Sequence, residues 1–258
     1  MSYYKKIELI TRGDDCGSSR SANKAILEAC RTGILRNVSF MLCCPFVEEA
    51  ADLFRKEKDV CLGQHATLNA EWDNIRWGPV LPADKVPSLV DRDGFFLKTT
   101  QELHERRPPI TEIMAELQAQ LDKARKLGLD IRYVDAHMMF EWTVDGLASE
   151  VEKWADREGL LYHQRYYQYL PMIERTGDPV DTFIAQLQLA PPGQYIMITH
   201  PSYDNEEMRL AGAEYITGEQ LAAERDWDRL IYTDPRSLHY CQDNGVRLLR
   251  YDEAQPIM

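Results

Sequence analysis

Apolar residues come in short bursts along the chain, and between the bursts they recur every three or four positions. Bursts rich in β-branched and aromatic residues read as strands, and the three-to-four spacing reads as amphipathic helix. On this pattern residues 6–11 form a first strand that ends at the polar turn Gly13-Asp14-Asp15-Cys16-Gly17. Ser18, Ser19 or Ser21 then offers an N-cap for a helix running to about Arg31, with Gly33 closing it. A second strand is expected over 37–44, broken by Pro45, with a helix over 46–57 and a third strand over 59–65. The clearest helix covers 110–127, where Ile113, Leu117, Leu121 and Ala124 share one face and Gly128 is placed to end it. The alternation continues with strand 132–135, helix 144–157, strand 160–163, helix 179–189, strand 194–200, helices 217–230 and 234–244, and strand 246–250.

About seven β-α repeats imply a parallel sheet, because strands alternating with helices cross over the sheet face. The expected fold class is α/β, a distorted (β/α)-barrel of about seven parallel strands, as a single domain over 1–258. The chain has no G-x-G-x-x-G and no P-loop, so a nucleotide-binding doubly wound sheet lacks its usual signature. One stretch breaks the rhythm. Residues 66–109 hold Gly78, Pro79, Pro82, Pro87, Gly94, Pro108 and Pro109 and form a long loop insertion, either a binding loop or lid or a decoration of the barrel.

Composition narrows the class. With 44% hydrophobic and 28% charged residues the chain can bury a core, which excludes a disordered protein. A net charge of −12 without a Lys/Arg-rich stretch argues against a nucleic-acid partner. No apolar run approaches the ~20 residues that span a bilayer, and the N-terminus has no secretory apolar region, so no membrane partner and a cytoplasmic location are expected. The six cysteines, Cys16, Cys30, Cys43, Cys44, Cys61 and Cys241, contain no C-x-x-C and read as reduced core residues. Cys16, beside the acidic pair, is the one thiol placed to be a nucleophile.

The chemistry-bearing residues fall at strand ends. Asp14 and Asp15 follow the first strand, His65 ends the third, Asp135 and His137 end the fourth, and His200 ends the sixth. In parallel α/β folds the C-terminal strand ends share one face, and active sites sit there. Two adjacent buried carboxylates repel, and a divalent cation relieves the one that binds it. Two histidines and a carboxylate leave coordination positions open for water and substrate. Singly, each residue has an ordinary explanation as a turn, a helix cap or a core histidine; their joint placement points to a metal centre. Asp135 serves either to orient a ligand histidine or as a cap. His163 follows a β-like run and can border the pocket, whereas His104 and His239 lie away from the strand ends.

Several segments, in order, resemble one family. Thr11 to Gly17 is similar to its opening Asp-Asp-Phe-Gly segment, Leu62 to Leu68 to its Gly-x-His-x-x-Leu segment, and Glu116 to Gln120 to its Glu-Leu-x-x-Gln stretch. Val134 to His137 resembles its Asp-x-His segment, Thr199-His200-Pro201 its His-Pro segment, and Arg225 to Leu230 the helix that follows. By these residues the chain resembles the YdjC-like carbohydrate deacetylases, which include the chitooligosaccharide deacetylases and are distant relatives of the NodB-type polysaccharide deacetylases. The resemblance implies a barrel of about seven strands that removes an acetyl group from an N-acetylated sugar. It implies one divalent metal ion, zinc or magnesium first, on Asp15, His65 and His137, with Asp14 as catalytic base and His200 as acid. The implied partner is a small carbohydrate; a homodimer is a further expectation for such a barrel.

The chain departs from the family pattern at three places. Met139 stands where relatives often carry a second histidine, Cys16 replaces an aromatic residue, and Glu71-Trp72 to Trp77-Gly78-Pro79 elaborates the long loop. Trp72, Trp77, Phe140, Trp142 or nearby tyrosines are candidates to stack on a sugar ring. Two other readings remain at this stage: a metal- and sugar-binding protein without turnover, and a metal-dependent aldolase or isomerase on the same barrel. Asp14 and His200 favour turnover, because a binder needs neither base nor acid.

Overall fold

The computed structural model describes residues 6–257; residues 1–5, part of the N-terminal reading above, lie outside the described residues. The first half runs β1 (Ile7–Cys16), α1 (Arg20–Thr32), β2 (Asn37–Phe40), α2 (Val47–Phe54), β3 (Cys61–Ala66), α3 (Thr100–Arg106), α4 (Ile110–Lys126) and β4 (Ile131–Ala136). The second half runs α5 (Leu147–Glu158), β5 (Leu161–Tyr162), β6 (Gln168–Tyr169), α6 (Pro179–Leu189), β7 (Gly193–Thr199), α7 (Glu206–Arg209), α8 (Gly218–Thr233), α9 (Pro235–Asp243) and β8 (Arg247–Leu249). Local signals account for many boundaries. The Ser19 side chain accepts from the Ala22 N–H and starts α1, Asp178 with Pro179 starts α6, and a capping box of Thr217 and Gln220 starts α8.

All strand pairs are parallel, in the order β5-β4-β3-β2-β1-β7-β6, with β8 on the N-terminal half of β1. The two ends of this path, β5 and β6, are neighbours in sequence, separated only by residues 163–167. Seven flat strands would place the outer two roughly 29 Å apart at about 4.8 Å per strand. The connecting residues reach roughly 20 Å when fully extended, and His163–Tyr166 is coiled into a 3₁₀ turn. The sheet therefore has to curl. It is a barrel whose seam is spanned by this link rather than by a strand ladder, among the described residues.

Side-chain alternation divides the core. Leu9, Val38 and Met197 face outward onto α1, α2, α6, α8 and α9, and Val134 faces α3, α4 and α5. Ile10, Cys61, Tyr133, Ile196 and Leu249 point inward and meet Tyr166, Tyr167 and Tyr251. Gly63 belongs to this interior because a Cβ there would stand 2.3 Å from the Tyr133 ring. No helix among the described residues is long and apolar enough to cross a membrane.

The structure moves several boundaries. Strand β1 continues through Cys16, so the segment read as a polar turn is strand, and β2 stops at Phe40 rather than Cys44. The two-residue strand β6 was not anticipated. Within the long insertion, α3 and the turn Ala83–Lys85 are regular, and α4 pins the rest. Buried Glu116 accepts the N–H groups of Val80 and Leu81, while Gln120 exchanges hydrogen bonds with Thr67.

Candidate active site

Every second residue of a strand shares a face, and this turns the barrel interior into columns. Ile10, Arg12 and Asp14 form one; Cys61, Gly63 and His65 another; Tyr133, Asp135 and His137 a third; Ile196, Ile198 and His200 a fourth. The lower members make the apolar core and the upper members are polar. Asp15 has the wrong parity to join them. Its register with β2 shifts between Gly13 and Cys16, and its backbone adopts φ 65°. This bulge re-aims the side chain, so two consecutive carboxylates serve one site. Aspartate is among the residues that tolerate this left-handed conformation.

Asp15 Oδ1, His65 Nε2 and His137 Nδ1 form a triangle with edges of 3.2, 3.4 and 3.5 Å. Donors bound tetrahedrally at about 2.0–2.2 Å from one ion stand roughly 3.3–3.6 Å apart, so the triangle has the dimensions of a coordination face. The outer ring nitrogens are already committed. His65 Nδ1 lies 3.2 Å from Asp135 Oδ1, and His137 Nε2 lies 3.0 Å from Glu71 Oε2. A neutral ring that donates outward presents only a lone pair inward. Asp15 Oδ1 is buried and has no hydrogen-bond partner among the described residues, while its Oδ2 accepts from Arg225 at 2.7 Å. Three lone-pair atoms thus converge on one point, an arrangement that fits a divalent cation. A second acidic group, Asp14, His65 and Asp135, fits less well because Arg12 already holds both carboxylates.

Charge explains the protonation of the cluster. Burial alone would favour the neutral aspartic acid at Asp15, but the Arg225 guanidinium together with His137, His65 and His200 outweighs it and holds the carboxyl well below its usual range. Burial alone would likewise favour a neutral His65 ring, yet Asp135 and Asp14 raise its proton affinity well above normal. Arg12 donates to Asp14 through Nε at 2.7 Å and Nη2 at 2.8 Å, and its Nη1 reaches Asp135 at 2.8 Å. Asp14 is therefore clamped through both oxygens beside the triangle. Burial pushes the Cys16 thiol up, which removes it as a thiolate nucleophile.

These residues open into a cavity of about 290 Å³, near the small end of ligand pockets. His200 is half-exposed on its wall. Its backbone N–H donates to Asp228 Oδ2 at 2.9 Å, and its Nδ1 lies 3.8 Å from the same oxygen. His163 also lines the cavity, whereas His104 bonds the Thr143 carbonyl away from it. Three of the expected aromatics do not reach the cavity: Trp72, Trp77 and Phe140 are buried in the core and present no face to a sugar. Tyr169 and Tyr215, 62% and 74% exposed, line the cavity instead. Trp72 and Trp77 form the backing, with Arg225 over the Trp72 ring at 5.1 Å and Trp77 against His137 at 6.3 Å.

Glu71 and Arg225 were not singled out as site residues. Glu71 sits in an aperiodic loop, and Arg225 on a helix where its charge alone says nothing of partners. Directly after His137, Met138 and Met139 both take left-handed backbone conformations, at φ 54° and 52°. Consecutive left-handed non-glycine residues are costly, and such strain collects at functional sites.

A family model described as YdjC-like protein matches residues 8–243. A carbohydrate deacetylase of Thermoanaerobacter pseudethanolicus is 25% identical over 94% of this chain and 97% of its own length. One from Brevibacillus brevis is 26% identical over 96% and 99%. A chitooligosaccharide deacetylase of Klebsiella pneumoniae is 30% identical over 50% of this chain and 48% of its own. A crystal structure from Enterococcus faecalis V583, described as that of a cellobiose-phosphate cleavage protein, superposes with a TM-score of 0.79 at 20% identity and covers 96% of this chain and 98% of that one.

Proposed function

The chain belongs to the YdjC-like family, and from that premise we propose that it is a metal-dependent hydrolase removing the acetyl group from an N-acetylated sugar. The observation that carries the reading is the convergence of Asp15 Oδ1, His65 Nε2 and His137 Nδ1, with both outer ring nitrogens held by carboxylates. Relatives described as carbohydrate deacetylases, aligned over nearly the whole chain, support the substrate class.

Asp15, His65 and His137 are the residues that would hold the ion, zinc or magnesium first. When bound there, it supplies an acidified water and polarises the acyl oxygen. Asp14 accepts the proton of the attacking water. Because Arg12 grips both its oxygens, the carboxylate cannot rotate away, and each oxygen keeps a lone pair for that proton. Asp135 and Glu71 keep the two imidazoles in one tautomer and one orientation. His200, its Nδ1 side turned to Asp228, delivers a proton to the departing amine from the other nitrogen. The products are acetate and an amino sugar.

The test is acetate release from a panel of N-acetylated sugars by chelated protein with single divalent metals restored, beside Asp14→Asn. Metal-dependent release that drops at least a hundredfold in Asp14→Asn, with metal content unchanged, is the expected result. Release that persists in the presence of chelator, or no release from protein shown to carry metal, overturns the proposal.

A further inference from the structure

The barrel seam carries a second buried polar group that this chemistry does not use. Glu141, His163 and Tyr167 are all buried there. Glu141 Oε1 accepts from Gln164 Nε2 at 3.0 Å and lies 3.5 Å from His163 Nε2; among the described residues neither Glu141 Oε2 nor His163 Nε2 makes a hydrogen bond. Among the described residues, His163 is the only basic side chain in ion-pair range of that carboxylate. Burying a carboxylate is costly unless a positive or donor group faces it, so the charge of Glu141 across 3.5 Å favours the His163 hydrogen on Nε2 over Nδ1. Nδ1 is then a bare lone pair, and at 2.7 Å it takes the Tyr167 hydroxyl hydrogen. Burial pushes the Tyr167 hydroxyl up, which keeps its proton in place. With its only hydrogen committed, Tyr167 oxygen offers lone pairs alone, shared between the cavity and Tyr169, whose ring packs edge-on at 5.5 Å on the same lining. His163, Gln164 and Tyr167 line the same cavity as Asp14 and His200.

We propose that Tyr167 contacts the substrate as a hydrogen-bond acceptor, set in that role by the positioning residues His163 and Glu141, and that it reads a donor on the sugar, a ring hydroxyl or the amide N–H. The inference rests on the cavity being a site for N-acetylated sugars. A tyrosine whose proton was free would accept or donate; this one discriminates, because a ligand without a donor at that point leaves its oxygen unpaired.

The experiment compares wild type with Tyr167→Phe on the best N-acetylated sugar, its monodeoxy analogues and its O-acetyl counterpart. Wild type is expected to lose about tenfold in kcat/KM on one analogue, the size of a single hydrogen bond. Tyr167→Phe loses the same factor on the parent sugar and nothing further on that analogue. A deoxy analogue in this role identifies a hydroxyl, and the ester identifies the N–H. His163→Asn, whose amide oxygen falls near the position of Nδ1, retains the discrimination, whereas His163→Leu follows Tyr167→Phe. A Tyr167→Phe loss equal on every analogue, or wild-type values throughout, overturns the inference. If wild type releases acetate from no sugar, the deacetylase reading alone fails, and calorimetry with the same sugars decides. A tenfold weaker Kd in Tyr167→Phe supports the role of Tyr167, and an equal Kd or no binding overturns it.

Discussion

In the metal-free protein His137 should hold a proton that a metal ion must displace, and the displacement can be read as a pH-dependent stability. Burial alone would push the ring towards neutrality. The charge of Glu71, followed by the nearby Asp15 carboxylate and the hydrogen bond to Glu71, outweighs it and pushes the pKa from 6.5 up to about 9. A folded-state pKa above the unfolded one stabilises fully below pH 6.5, and the contribution is lost as pH rises through about 9. The gap is worth about 3 kcal/mol, or roughly 6–12 °C in Tm for a chain of this length. His65, raised by Asp135 against its own burial, adds a loss of the same sign. A coordinated imidazole is neutral throughout this window, so the metal-loaded protein is spared the loss. Thermal melts at pH 6, 7, 8 and 9, with chelator and with saturating metal, should show a metal-induced gain in Tm that grows with pH. Glu71→Gln removes the leading cause, so it should flatten the metal-free curve and weaken metal binding by about 10–100-fold. A metal-free Tm that stays level between pH 6.5 and 9, or a gain that shrinks with pH, would refute the reasoning.

Two further outcomes test the frame around the site. Gly63→Ala brings a Cβ to 2.3 Å from the Tyr133 ring, which is held by Ser39 at 2.8 Å and stacked on Tyr251 at 4.3 Å. Urea unfolding should show a loss of about 1–3 kcal/mol at unchanged m, and a wild-type midpoint would mean the ring yields freely. Met139 is 60% exposed at φ 52°, so its packing matters little and its backbone matters more. Met139→Ile should cost about 1–2 kcal/mol while Met139→Gly does not destabilise; a neutral isoleucine would contradict the strain argument.

How much of this was legible depends on whether burial is apolar. Helix α6 was placed to the residue, and the structure gives the physical reason: Asp178 caps it, Pro179 opens it and its buried apolar residues recur at helical spacing. Helix α4 was placed within one residue by its helical apolar spacing. Strand β1 was cut short because its last residues bury charge instead of hydrocarbon, so the apolar pattern stops while the strand goes on. Strand β2 was overextended because Met41, Leu42 and Cys44 are buried and apolar without belonging to the ladder. The columns through Asp14, His65, Asp135 and His200 follow from a period of two, so their meeting could be read in advance. The turn of Asp15 into the same site could not, since it depends on one backbone angle. Glu71 was hidden for another reason: a loop held by Glu116 and Gln120 of α4 has no periodicity of its own to announce where its side chains go.

The charges explain why so many ionised groups can share one buried site. Asp14, Asp15, Glu71 and Asp135 are buried there with Arg12 and Arg225. Four carboxylates against two guanidiniums leave two negative charges in a region where an uncompensated charge is costly. Two protons, one on each of His65 and His137, would balance it, and both rings have raised proton affinity. One divalent cation would balance it equally well with both rings neutral. The protein can therefore exchange two protons for one doubly charged ion at almost constant local charge, which keeps the cluster folded in either state. A monovalent ion would leave one negative charge unmatched. On this argument the preference for a divalent ion comes from the whole set of buried partners as much as from the three converging atoms, and Arg12 and Arg225 contribute to it without touching the ion.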